Sequence, residues 1–211
     1  MNVLIFGASG RTGQQLVLQA LAMGHDVTAI VRRPKQFTLS FDRLRVVSGD
    51  ALNKPSFAMA LDGQDAVISA LGIAGLRNSL QPMTFHADTA RNILDQMQAH
   101  GVQRFVGITS VGVEHSPSNP LWYRLTLQRL LRHKYGDMAR MEGVIKQSGL
   151  QWTIVRPTRL TNGPLTQVYR ADASGLVSKG TSSISRPDAA DFCLQHLSRS
   201  EHFNQIYALS Y

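Results

Sequence analysis

The sequence predicts an α/β fold: a doubly wound parallel sheet with helices on both faces and a small irregular region on its substrate side. Three observations carry that expectation. Apolar, strand-length runs alternate with stretches of helical periodicity along nearly the whole chain, as in a parallel sheet whose strands are joined by crossover helices. A G-x-x-G-x-x-G segment, Gly7-Ala8-Ser9-Gly10-Arg11-Thr12-Gly13, stands between the first apolar run and the first helical stretch. No internal repeat or long linker interrupts the alternation, so residues 1–211 read as one domain with 158–184 as an excursion.

The elements follow in order. Val3-Leu4-Ile5-Phe6 reads as a buried strand and Gln14 to Leu21 as a helix closed by Gly24-His25. Asp26 to Val31 is the second strand and Leu44 to Asp50 the third, with a helix starting near Asn53-Lys54-Pro55. Asp65 to Gly72 is the fourth strand, followed by a loop from Ile73 to Pro82. The spacing of Phe85, Ala90, Ile93, Leu94 and Met97 predicts a long helix from Met83 to His100, with Gly101 as its stop. Arg104 to Ser110 is the fifth strand, and Gly112 to Pro120 a Ser-, Pro- and Asn-rich loop. Helical patterning then runs from Leu121 to Ser148, with a break expected near Tyr135-Gly136-Asp137. Gln151 to Pro157 is the sixth strand. The polar, turn-prone stretch from Thr158 to Gly180 reads as too irregular for core sheet and as a cover over the crevice. Ser185-Arg186-Pro187-Asp188 opens the last helix, with proline near N1 and an acid in the first turn. Gln205 to Leu209 is the final strand.

At 211 residues and 43% hydrophobic content the chain can bury a substantial core. No apolar stretch approaches the ~20 residues a membrane helix needs. The first strand begins without a basic region or cleavage pattern, which argues against secretion. Cys193 is the single cysteine, so no intrachain disulfide forms. That suits a reducing, cytoplasmic compartment, with Cys193 as core rather than nucleophile. Net charge is +8. The densest basic region holds Arg124, Arg129, Arg132, His133, Lys134 and Arg140; it reads as a solvated helix face, an anion or substrate contact, or a nucleic-acid surface. No nucleic-acid motif accompanies it, so neither nucleic acid nor membrane is an expected partner. The seven histidines lack metal-ligand spacing, and no metal is expected.

Strand, glycine turn and helix in that order make a Rossmann-like dinucleotide site. Glycine keeps the turn tight and lets backbone approach a pyrophosphate, while the helix start offers free N–H groups to the anion. Gly7, Gly10, Arg11, Thr12 and Gly13 are the candidate pyrophosphate contacts. At the end of the second strand, where an NAD site places an acid for the ribose 2′-OH, stand Arg32 and Arg33. Guanidinium groups suit a 2′-phosphate, so NADPH is expected over NADH unless both are merely exposed loop residues. Asp50 and Ala51 fall where adenine would lie; Asp50 accepts from the adenine amino group, caps the helix that follows, or does both. Leu71 and Gly72 are placed on the nicotinamide side. Thr109 and Ser110 end the fifth strand at the crevice, with Ser110 a catalytic candidate or a hydroxyl that satisfies local backbone. Arg77 is a candidate anion contact, and His115, Trp122, Tyr123 and His133 are candidates for stacking or proton supply, or else ordinary packing residues.

With these residues in view, the chain resembles the atypical short-chain dehydrogenase/reductases, the NmrA-like NAD(P)-binding group. The resemblance rests on Gly7 to Gly13, on Ser148-Gly149-Leu150-Gln151-Trp152-Thr153-Ile154-Val155-Arg156-Pro157, and on Ile184 to Asp188. Within the group it is most similar to the biliverdin-IXβ reductases, also called NADPH-dependent flavin reductases, through Ala90-Arg91-Asn92-Ile93, Ala99-His100-Gly101-Val102, Thr109-Ser110 and Pro164-Leu165-Thr166. The resemblance implies NADPH and hydride transfer to flavins or linear tetrapyrroles, with flavin as a substrate rather than a tightly bound cofactor. It gives Arg32 the 2′-phosphate and puts Ser110 at the reaction site. The chain departs from those reductases at Arg159, where they have a histidine, and in its longer segments at Glu114 to Asp137 and around Ala74-Gly75. These border the substrate, and Arg159, Trp122, Tyr123 and Arg77 are the expected substrate contacts.

Most short-chain dehydrogenases use Tyr-x-x-x-Lys for proton transfer. Here Tyr123 is followed four residues on by Leu127, and Tyr135 by Ala139. The missing pair disfavours alcohol–ketone chemistry and sugar epimerisation. It suits a conjugated acceptor that delocalises charge, where the protein mainly positions the reactants. It suits equally a non-catalytic NADP(H)-binding redox sensor acting through a protein partner. The expected ligand is a small planar acceptor and the favoured state a monomer.

Overall fold

The computed structural model describes residues 1–73, 81–114, 130–177 and 183–211. Its first three strands are β1 (Asn2–Phe6), β2 (Asp26–Val31) and β3 (Leu44–Ser48), with helix α1 (Arg11–Ala22) between β1 and β2. Then come β4 (Ala66–Ser69), α2 (Phe85–Ala99), β5 (Arg104–Ile108), α3 (Arg132–Lys146) and β6 (Gln151–Pro157). The chain ends with β7 (Arg159–Thr161), β8 (Arg170–Asp172), β9 (Ser183–Ser185), α4 (Arg186–Gln195) and β10 (Gln205–Ser210). The main sheet has the order β3-β2-β1-β4-β5-β6-β10-β8. All of its pairings are parallel except β10 with β8. The strand order reverses between β1 and β4, the switch point where such sheets open a crevice at their carboxyl edge.

The inner strands are largely apolar on both faces, because both faces are covered. Val3 and Ile5 of β1 face a core shared with Leu16, Val17 and Ala20 of α1 and with Ala189, Phe192 and Cys193 of α4. Leu4 and Phe6 face the other core, with Ile93 and Met97 of α2 and Met141 and Ile145 of α3. Helices α1 and α4 therefore pack on one side, α2 and α3 on the other. Cys193 lies in the first core, where burial pushes its thiol up to about 12, far from a thiolate nucleophile at neutral pH.

Three expectations are corrected. The helix expected near Asn53 is instead two 3₁₀ turns, Lys54–Ser56 and Ala58–Leu61. They are long enough only to drive Phe57 into the core, edge-on to Phe6 at 4.9 Å. The break expected at Tyr135-Gly136-Asp137 is absent, since α3 runs unbroken from Arg132 to Lys146; residues 121–129 lie outside the described part. A mid-helix glycine costs only about 1 kcal/mol, and Asp137 offsets it by accepting from the His86 and Ala87 N–H groups at the start of α2, at 2.7 and 3.3 Å. The excursion is less irregular than expected. β8 joins the main sheet, its Arg170, Ala171 and Asp172 pairing with Ser210, Leu209 and Ala208 of β10, which satisfies backbone groups that an open edge would leave bare. β7 and β9 form a second, two-stranded ladder.

The stretch between β7 and β8 is irregular but firmly held. Asp188, buried at the start of α4, accepts from the Thr166 N–H and hydroxyl, the Gln167 N–H and the Tyr211 hydroxyl, at 2.6 to 2.9 Å. Asp191 accepts from Gln167 Nε2 and the Tyr169 hydroxyl. Ser185 is the N-cap, its Oγ accepting from the Asp188 N–H at 3.0 Å.

Candidate functional site

The glycine turn leaves no room for a side chain at either end. Gly7 has φ +77°, and a Cβ there would stand 2.6 Å from the Ala70 carbonyl oxygen. A Cβ on Gly13 would overlap the Gly7 carbonyl. The turn closes through Gly10 N–H to Gly7 O at 2.9 Å, and α1 begins with Gly10 as an N-cap that has no side chain to bond the helix start. No acidic residue occupies the first turn. The N–H groups of Arg11, Thr12 and Gly13 thus remain without acceptors among the described residues, at the positive end of the helix. Only glycine fits at Gly7 and Gly13, and the helix start behind them stays uncovered by side chains of its own.

The cations around this turn are uncommitted. Arg11, Arg32 and Arg33 are exposed, and their side chains make no hydrogen bond or ion pair with any described residue. Arg32 and Arg33 directly follow β2, the neighbour of β1. Arg186, read from sequence only as the opening of the last helix, joins them. Its Nη1 donates to Asn162 Oδ1 at 2.6 Å, and burial, followed by the charge of Arg11, lowers its pKa from the usual value. A guanidinium held by a neutral amide keeps its full charge for an anion.

After β3, Asp50 Oδ1 accepts from the Leu52 N–H at 3.0 Å in a local turn. It caps that turn rather than a helix. The Asp50 N–H donates to Ser56 Oγ, and the Ala51 carbonyl accepts from Asn92 Nδ2 at 3.0 Å. Asn92 of α2 therefore fixes this turn from forty-one residues away. Leu71 packs half-buried against the second core and Gly72 is exposed. Arg77, His115, Trp122 and Tyr123 lie outside the described residues. Arg159 is exposed at the start of β7, and its side chain makes no hydrogen bond or ion pair with a described residue.

Thr109 and Ser110 part company at the end of β5. The Thr109 hydroxyl is buried and donates to Glu142 Oε1 at 2.8 Å, so its side chain is structural and does not face the crevice. Ser110 is partly exposed; its Oγ accepts from the Gly112 N–H at 3.2 Å, leaving its proton to donate elsewhere. Behind them lies a network that the sequence does not announce. Arg156 is buried and bonds both oxygens of Glu142, Glu114 Oε1 and the Gly175 carbonyl. Burial alone would lower this guanidinium; Glu142 and then Glu114 more than offset it and hold its pKa above the usual value. The only hint in the sequence was a charged residue inside an apolar strand run. Tyr135, lacking a lysine four residues on, lays its ring against Gly112 with its hydroxyl 2.7 Å from where a Cβ would stand. Among the described residues no group of three or more His, Cys, Asp or Glu could hold a metal ion, and no helix is long and apolar enough to cross a membrane.

Comparison with known proteins agrees with this geometry. The pattern of the NAD(P)H-binding family matches residues 7–200. The chloroplastic Arabidopsis thaliana protein At2g34460, itself uncharacterized, is 30% identical over 95% of this chain and 73% of its own. A short-chain dehydrogenase/reductase from Veillonella parvula DSM 2008, solved in complex with NADP, superposes with TM-score 0.82 at 18% identity, covering 100% of this chain and 94% of that one. A Streptococcus pneumoniae TIGR4 protein provisionally named an NADH-flavin reductase superposes with TM-score 0.76 at 22% identity, over 100% and 99% of the two chains. With its fold, its glycine turn and this match over most of its length, the chain belongs to the NAD(P)H-binding family.

Proposed function

We propose that this protein is an NADPH-dependent reductase that passes hydride to a planar conjugated acceptor, a flavin such as FMN or a linear tetrapyrrole such as biliverdin. The observation that carries the reading is the acid-free glycine turn with the uncommitted guanidinium groups of Arg11, Arg32 and Arg33 around it. Arg32 and Arg33 at the end of β2 favour a 2′-phosphate and hence NADPH. Gly7, Gly10, Thr12 and Gly13 would hold the diphosphate, Asp50 and Ala51 the adenine, and Leu71, Gly72 and the Thr109 backbone the nicotinamide side. The bound dinucleotide supplies the hydride.

The rest falls to the chain. Without a Tyr-x-x-x-Lys pair it has no strong acid for an alkoxide, which favours an acceptor that spreads the incoming charge over its own ring system. Ser110 orients the reactants through its remaining O–H, and Arg159 borders the acceptor. The fold neighbour provisionally named a flavin reductase and the resemblance to biliverdin-IXβ reductases support the same class. The protein works as a monomer on a diffusing acceptor in a reducing, cytoplasmic compartment, a setting that its single buried cysteine suits.

The test is direct. Purified protein is mixed with NADPH and excess FMN, then with a bilin, and loss of reduced-nicotinamide absorbance is followed. Turnover with either acceptor is expected. Tight NADP binding without turnover of either overturns the reductase reading and favours a redox sensor acting through a protein partner.

A further inference from the structure

Helices α2 and α3 follow β4 and β5 in the chain and pack on the same face of the sheet. Between the starts of those helices lies a cleft of about 450 Å³, lined by Met83 and Thr84 on one side and by Arg132, His133, Gly136 and Arg140 on the other. No acidic side chain is among its described lining residues. Arg140 Nη2 is anchored on the Met83 carbonyl at 2.6 Å, and its Nη1 stands 3.8 Å from where a Cβ of Gly136 would be. Arg132 Nε donates to His133 Nε2 at 3.3 Å. That contact braces the guanidinium against the His133 ring. Both terminal nitrogens of Arg132 are left without a partner among the described residues. Asp137, the nearest acid along the helix, directs its oxygens to the His86 and Ala87 N–H groups, with a 3.4 Å contact to Arg140.

The helix start that lines this cleft also touches the segment after Ser110. Tyr135, between His133 and Gly136, packs its ring on Gly112, two residues beyond Ser110. Across the sheet, the cationic features follow strand order. Arg32 and Arg33 follow β2, the glycine turn follows β1, and this cleft is lined from the helices that follow β4 and β5 in the chain. The first two are accounted for by the 2′-phosphate and the diphosphate of one dinucleotide. The third is taken up by neither.

We infer that the cleft between the starts of α2 and α3 receives a phosphate carried by the acceptor, with the Arg132 fork as its principal contact, braced by His133 and flanked by Arg140. The inference rests on the reductase reading and narrows its substrate class to phosphorylated planar acceptors. A guanidinium with two free parallel N–H donors matches phosphate oxygens in a way it does not match a neutral ribityl chain.

FMN and riboflavin differ only in that phosphate. Their dissociation constants are measured by quenching of flavin fluorescence in saturating NADP⁺, for the wild type and for Arg132→Gln/His133→Gln. The wild type should bind FMN about tenfold or more tighter than riboflavin, and the double variant should bring the two to within about threefold by weakening FMN alone. Circular dichroism and the NADP⁺ dissociation constant of the variant check that it is folded. Equal affinity for the two flavins in the wild type, or an FMN preference that survives the double substitution, overturns the inference while leaving the reductase reading standing. NADP⁺ binding with neither flavin bound overturns the flavin class and this subsite together.

Discussion

Glu142 and Arg156 meet in a bidentate ion pair, Oε1 to Nε at 3.0 Å and Oε2 to Nη2 at 2.6 Å, with 3% and 2% of their side chains exposed. Glu142 Oε1 also takes the Thr109 hydroxyl, so one carboxylate ties α3 to β5 and β6 beside Ser110. Removing one partner of such a pair strands the other. Glu142→Ala should cost about 3–5 kcal/mol of unfolding free energy, read from urea denaturation. Glu114→Ala, whose carboxylate is 44% exposed, should cost about 1 kcal/mol or less. Equal losses for the two would show that the buried pair is not the hub of the network.

Gly13→Ala should damage the cofactor site specifically. Its Cβ has no room beside the Gly7 carbonyl, so the turn must open and the helix start moves. The NADP⁺ dissociation constant should rise about tenfold or more, equivalent to about 1.4 kcal/mol. Gly143→Ala in α3 meets nothing within 4 Å and should stabilise the protein by up to about 1 kcal/mol with NADP⁺ affinity unchanged. Unaltered NADP⁺ binding by Gly13→Ala would count against the glycine turn as the diphosphate site.

Arg32→Asp separates the two dinucleotides. A charge-assisted contact to phosphate is worth about 1.5–3 kcal/mol, so NADPH affinity should fall by about ten- to a hundredfold while NADH affinity holds or improves. Isothermal titration with both nucleotides measures this. An equal loss for the two would remove Arg32 from the 2′-phosphate.

Stability should fall on the acid side of neutrality. His86 is buried against Asp137, with Nδ1 2.9 Å from Oδ2. Burial, and to a smaller extent Lys134, lowers its pKa below 6.5 despite Asp137. His25, His196 and His202 are lowered too, in each case chiefly by burial. For a lowered histidine the unfolded chain takes up the proton first. The stabilising contribution is therefore complete above pH about 6.5 and declines as pH falls below it. Urea midpoints should drop between pH 7.5 and 5.5, and His86→Gln should flatten that slope. A pH-independent midpoint in the wild type would contradict the assignment.

Short-range pattern determined much of this protein. Apolar alternation located β1, β2, β5 and β6 to within about two residues, because strands buried on both faces read as continuous apolar runs. The G-x-x-G-x-x-G spacing marked the turn that only glycine fits, because the steric demand at Gly7 and Gly13 comes from within the turn and from the adjoining strand end. Arg32 and Arg33 were legible because they follow β2 directly. Tertiary structure alone decided the rest. Thr109 turned away from the crevice because Glu142, thirty-three residues later, accepts its hydroxyl. α3 ran through Gly136 because Asp137 accepts from the N–H of His86, fifty-one residues earlier at the start of α2. β8 became sheet because β10 offered it an open edge. Arg186 came to Arg11 because α4 packs on α1, with Gln19 Nε2 bonding the Pro187 carbonyl at 3.0 Å. Periodicity reports which face of an element is buried; it carries no record of which polar partner waits on the neighbouring element, and that pairing is settled only when buried donors and acceptors must be satisfied together.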